Sequence, residues 1–153
     1  MSQSLKTQLM DHVKAAMRAK DSARLGTLRL LQAAIKQKEV DDRTELDDIQ
    51  IVAIIEKQIK QRRESILAFQ QAGRTETAEQ EQAELLVLQE FLPEQASAEE
   101  VDAAIAAALE SVAGQGITGA PAMGKVMGML KKSLSGKADM SVVSAQVKAR
   151  LGA

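Results

Sequence analysis

Gly119-Ala120-Pro121-Ala122-Met123-Gly124-Lys125-Val126-Met127-Gly128, followed by Gly136-Lys137-Ala138-Asp139, is the stretch on which the fold reading turns. Its first half fits G-x-x-x-x-G-K, the opening of a phosphate-binding loop in an α/β domain. The fit fails at Val126, where Ser or Thr is needed to ligate magnesium. Such a loop also follows a strand, and the segment upstream, Ala103-Ala-Ile-Ala-Ala-Ala-Leu-Glu110, is helical by propensity. Pro121 removes a backbone donor from the would-be cradle. The alternative is helix punctuation. Pro121 suits a first turn, and Met123, Val126, Met127 and Leu130 form one apolar stripe at 3/4 spacing, which Leu134 continues. Gly124 and Gly128 stand one turn apart, an invitation to close helix packing. Gly136 is placed as a C′ residue. Asp139 is placed as the N-cap of a last helix whose apolar positions are Val142, Val143, Val147 and Leu151.

Working outward, nothing in the chain alternates with period two. Helix one is expected over about Ser4–Ala19, with Leu5, Leu9, Val13, Ala16 and Met17 inward. Helix two runs from an Asp21 or Ser22 cap to about Glu39. A polar break at Asp41-Asp42-Arg43-Thr44 precedes helix three, from about Asp47 to Ala72, closed by Gly73. Helix four spans about Thr75–Phe91 and stops before Pro93, since the residue preceding proline is biased away from helix. Ser97-Ala-Glu-Glu100 reads as a capping box opening helix five. The fold expected is all-α: an N-terminal bundle of long helices over residues 1–93, then a small three-helix C-terminal domain over 94–153.

Composition removes several function classes. Phe69 and Phe91 are the only aromatics among 153 residues, too few for a base-stacking surface. Cysteine is absent and His12 is the single histidine, so no Cys/His metal site and no cysteine nucleophile can be built. His12 is expected at the surface. No metal and no cofactor are expected. No apolar run approaches the ~18 residues of a membrane span, and none resembles a secretory signal. A cytoplasmic protein is the expectation, with no membrane partner.

Charge is segregated. Residues 1–38 carry eight basic and two acidic residues, a net +6; residues 75–102 carry nine acids and no base; residues 122–153 carry six bases and one acid, a net +5. The C-terminal cations Lys125, Lys131, Lys132, Lys137, Lys148 and Arg150 are candidates for phosphate contact, with Arg29, Lys36 and Arg63 as further candidates. Lys125 and Lys137 are placed near helix starts, where backbone N–H groups also favour phosphate. Solvation of a helix pair is the competing account of the same lysines. On a helical wheel at 100° per residue, Arg62 falls among Ile51, Ile55 and Phe69, while Glu81 and Glu84 fall beside Leu88 and Phe91. Charges within apolar stripes are costly unless they meet. An Arg62–Glu84 or Arg62–Glu81 pair is one reading, and an arginine facing a groove for an anionic ligand is the other. Glu39 carries the same ambiguity.

Arg24-Leu-Gly-Thr-Leu-Arg-Leu-Leu-Gln-Ala-Ala-Ile-Lys-Gln-Lys-Glu39, Ile59-Lys-Gln-Arg-Arg-Glu-Ser65, Ala72-Gly-Arg74 and Leu88-Gln-Glu-Phe-Leu-Pro-Glu94, taken in order, resemble the GatB/YqeY-like family in its free-standing YqeY form. Gly124-Lys-Val-Met-Gly128 and Gly136-Lys-Ala-Asp139 are similar to the tail of the B subunit of tRNA-dependent amidotransferase. There an Asn-Pro often follows Gly-Lys-Ala; here Asp139-Met140 stands, which keeps the cap and loses the proline. The resemblance implies an accessory module that binds tRNA or an amidotransferase complex. The domain that carries out phosphorylation and amidation has no counterpart in this chain, so a carbon–nitrogen ligase activity with glutamine as amide donor would be a label inherited from the complex. A protein–protein interaction module without RNA contact is the alternative.

Overall fold

The computed structural model describes residues 3–152, which form seven α-helices and no strand. They are α1 (Leu5–Arg18), α2 (Ser22–Asp42), α3 (Asp48–Gln71), α4 (Thr75–Gln89), α5 (Ala98–Gly114), α6 (Ala120–Ser133) and α7 (Met140–Leu151). The all-α class read from the sequence holds. The helices divide into two compact units, one reaching to Leu92 and one beginning at Pro93.

In the first unit α3 packs along α4, and α2 lies against both α1 and α4. Leu9 and Val13 of α1, Leu28 and Leu31 of α2, Ile51 and Ile55 of α3, and Leu85 and Leu88 of α4 meet in one core. Each such side chain contributes roughly 1.5–3 kcal/mol by leaving water. Met17, expected inward, is 52% exposed; the α1 stripe ends at Ala16, because the chain turns away at Lys20. Helix α2 runs three residues past Glu39. Asp41 accepts from Gln37 Nε2 at 2.9 Å, and Asp42 pairs with Lys38 at 3.2 Å, so the acids extend the helix instead of breaking it. Arg43, at φ 54°, then ends it in the left-handed region.

The second unit is α5, α6 and α7 around Val101, Ile105, Val112, Val126, Leu130, Val143 and Val147. Ser97 caps α5, its hydroxyl accepting from Glu100 N at 3.1 Å. The full reciprocal box forms at the start of α3, where Asp47 and Gln50 each accept the other's backbone N–H. Helix α6 already begins at Ala120, so the stretch that mimicked a phosphate loop is helical from its second residue onward, with Gly119 as the N-cap. Ala122, Val126 and Leu130 face the core, one turn apart. Gly124 and Gly128 fall on the opposite side, are exposed, and a Cβ at either would meet nothing within 4 Å. The close helix approach expected there is therefore absent. Gly136, buried at φ 73°, lies two residues beyond the Leu134 C-cap, one later than the C′ position. Val142, expected inward, is 52% exposed, because the core-facing side of α7 runs through Met140, Val143, Val147 and Leu151 and leaves Val142 beside it.

Candidate functional site

The charges on the apolar stripes of the first unit meet one another. Arg62 of α3 reaches across to α4, where its Nη1 donates to Glu84 and, at 3.0 Å, to Glu81. The Arg62 side chain is 15% exposed, so the pair ties two helices in a poorly hydrated setting. Both glutamates are thereby committed to the guanidinium. Glu39, near the end of α2, accepts from Lys6 Nζ of α1 and, at 2.9 Å, from the backbone N–H of Leu46. The Lys6 ammonium first, and the Leu46 N–H second, hold the Glu39 carboxyl below its ordinary value. One carboxylate thus fastens α1, α2 and the loop into α3. Glu39 and Glu84, the carboxylates an acid–base enzyme would need to converge, are each engaged with a different cation.

A third network was not legible as such. Arg24 of α2 forms a fork on Glu90, at 2.6 and 3.2 Å, and its Nη2 lies 2.8 Å from His12 Nδ1. A guanidinium has no acceptor, so Nδ1 accepts. The His12 ring stands edge-on to Phe91 at 5.0 Å. His12 is half-buried, which corrects the surface placement. Its position in the sequence carried the signal: Leu9, His12, Val13 and Ala16 follow 3/4 spacing. The Glu90 carboxylate raises the Arg24 pKa above its ordinary value. Beside this network Asp21, Ala23, Arg24 and Thr27 of the α2 end face Gln80, Ala83, Glu84 and Val87 of α4 across a cleft of about 240 Å³.

The basic candidates of the second unit do not share one environment. Lys125 lies in the second turn of α6 and not at its start; its Nζ donates to Gln115 Oε1 at 2.7 Å. Arg150 pairs with Asp102 at 2.9 Å. Lys131, Lys132, Lys137 and Lys148 are exposed and make no ion pair among the described residues. Lys131 and Lys132 close α6, and Lys148 and Arg150 close α7, where the helix dipole itself favours cations. Lys137 occupies the turn between them, before the Asp139 cap. That turn is pinned from the segment ahead of α5: Gln95 Nε2 donates to Gly136 O at 2.7 Å and Ala96 N to Lys137 O at 2.8 Å. In the first unit Arg29 and Lys36 are exposed along α2, and Arg63 is exposed on α3. Among the described residues no group of three or more His, Asp or Glu could hold a metal, and no helix is long and apolar enough to cross a membrane.

A YqeY-like family model matches residues 6–151. The chain belongs to the YqeY-like family. Relatives within reach of it include the altered inheritance of mitochondria protein 41 of Pyrenophora tritici-repentis, 34% identical over 149 residues, which span 95% of this chain and 80% of the relative. The proteins of that name in Eremothecium gossypii and Kluyveromyces lactis are 41% and 38% identical over 98 and 101 residues. Those matches span 62% and 63% of this YqeY-like chain and 54% of each relative. All three are named as mitochondrial, which overturns the cytoplasmic expectation. That expectation rested on the missing apolar run. A mitochondrial address is amphipathic and basic instead, so such a run has no bearing on it.

Proposed function

We propose that this YqeY-like chain is an accessory RNA-binding module, that its ligand is tRNA, and that the second unit makes the contact. The observation that carries this reading is the cluster Lys131, Lys132 and Lys137: three exposed cations within seven residues, without a carboxylate partner among the described residues. The backbone of the turn that presents Lys137 is tied down by hydrogen bonds from Gln95 and Ala96, which lowers the cost of ordering it on binding. With aromatics confined to Phe69 and Phe91, contact is through phosphate and shape, the manner in which folded RNA is held. The similarity of residues 124–139 to the tail of an amidotransferase B subunit supports tRNA, and an amidotransferase complex, as the setting.

The test is tRNA binding against salt for the wild-type chain and for Lys131→Glu/Lys132→Glu/Lys137→Glu. Each lost phosphate contact removes about 0.7–0.9 from the slope of log K against log salt, so the triple variant is expected to be shallower by roughly 2–3. Equal slopes for the two proteins would remove the RNA reading. The helix dipole gives the lysines closing α6 a structural role as well. Lys131→Gln/Lys132→Gln therefore serves as a stability control for the same positions.

A further inference from the structure

We propose that α2 and α4 form a self-complementary face on which a second copy of this chain docks. Helix α2 is apolar on two sides. Leu28, Leu31 and Ile35 are buried, whereas Ala23, Gly26, Leu30, Ala33 and Val40, interrupted by the polar Gln37, form an exposed stripe on the other side. The stripe's steps are 3, 4, 3, 4 and 3, the repeat of a helix-packing seam. Leu30 and Val40 are 61% and 58% exposed. Single exposed leucines are ordinary, but a seam across most of a helix is not. Helix α4 carries an exposed stripe of a different character: Glu76, Glu79, Ala83 and Leu86 repeat the 3/4 spacing, acidic at the first two positions and apolar at the last two, with Leu86 53% exposed. Ala23 and Ala83, one from each stripe, line the same cleft, so the two stripes border one surface.

Charge selects the occupant. Arg29 and Lys36 flank the α2 stripe, and α4 contains no basic residue at all. Packing α2 on its own copy would oppose like charges. Packing α2 on the partner's α4 sets Arg29 and Lys36 against Glu76 and Glu79 while burying Leu30, Val40 and Leu86. Because both helices belong to one unit, the exchange is reciprocal and closes as a two-fold dimer around a four-helix interface. An RNA backbone would satisfy the two cations and leave the three apolar side chains wet. Two helices side by side offer a face of about 20 by 25 Å, hence roughly 1,000 Å² in total, the lower edge of specific interfaces. The dimer is therefore weak and concentration-dependent.

The experiment is sedimentation equilibrium of the full chain up to the millimolar range at low and high salt. The expected result is a reversible monomer–dimer equilibrium that salt weakens. Arg29→Glu/Lys36→Glu and Glu76→Lys/Glu79→Lys are each expected to stay monomeric with unchanged helicity, and an equimolar mixture of the two to form a mixed dimer. All four positions are exposed, so folding should be retained, and recovery in the mixture confirms it. A wild-type chain that stays monomeric throughout, charge reversals that leave the dimer intact, or a mixture that fails to associate would each overturn the proposal. So would a monomer whose Arg29→Glu/Lys36→Glu variant loses tRNA binding, since the face would then belong to RNA.

Discussion

Glu39 illustrates how one carboxylate sets a pH dependence. Its folded-state pKa is depressed, chiefly by the Lys6 ammonium and then by the Leu46 N–H. The stability it contributes is therefore present above the ordinary carboxylate value near 4.5 and is lost as pH falls through the lowered folded value. Glu39→Gln should lower the urea midpoint at neutral pH, and the gap from wild type should close in acid. A gap that stays constant with pH would show that Glu39 acts through packing alone. Arg62 is the costlier single loss. Arg62→Met leaves Glu84 and Glu81 facing each other without a cation at a half-buried contact, and should cost about 1–3 kcal/mol. Adding Glu84→Gln should recover part of that loss, and a double-mutant cycle on urea midpoints measures the coupling. The wheel position of Arg62 among isoleucines is readable from sequence, because an arginine at 3/4 spacing needs a partner. The Arg24–His12–Glu90 network is not readable in the same way. Arg24 and Glu90 lie 66 positions apart, and only the packing of α2 on α4 brings them together.

At the scale of the helix, two ends can be compared directly. Helix α3 closes with Gly73 at φ 73°, the N–H groups of Gly73 and Arg74 returning to Gln70 O and Phe69 O. Helix α1 closes in the same pattern, with Lys20 N to Met17 O and Asp21 N to Ala16 O, but the left-handed residue is Lys20 at φ 56°. A lysine there costs roughly 1 kcal/mol relative to glycine, since its Cβ crowds the following carbonyl. Lys20→Gly is expected to raise stability by up to about 1 kcal/mol, and Gly73→Ala to lower it by a similar amount although the space for a methyl is open. Thermal or urea unfolding of the two variants checks both signs. The Gly73 stop was legible because glycine announces a left-handed cap, whereas Lys20 carries no such mark. The end of α2 lies beyond the expected Glu39 for the converse reason. Asp41 and Asp42 look like a break, yet both are satisfied by residues one turn earlier, a context that propensity does not contain.

For the whole molecule, the two hydrophobic clusters carry the argument. The cluster in the second unit contains ten buried residues, of which five are valine and two are alanine, and it holds no aromatic. At about sixty residues such a unit buries only about 60% of its extended-chain surface. It is expected to fold as a fragment over residues 93–153, but with a stability of only a few kcal/mol. Val126→Ala should then unfold much of the fragment, since Val126 is fully buried at the centre of that cluster. If this unit alone makes the RNA contact, the fragment should bind tRNA with the same salt slope as the full chain, and residues 1–92 should not compete. The cations along α2 make the opposite outcome measurable. Were residues 1–92 to bind tRNA while the folded fragment did not, the contact would lie on cations of the first unit, Arg29 and Lys36 among them. The lysines at the α6–α7 turn would then be accounted for by helix-end electrostatics alone. Fluorescence anisotropy of labelled tRNA with each fragment, over a series of salt concentrations, decides between them.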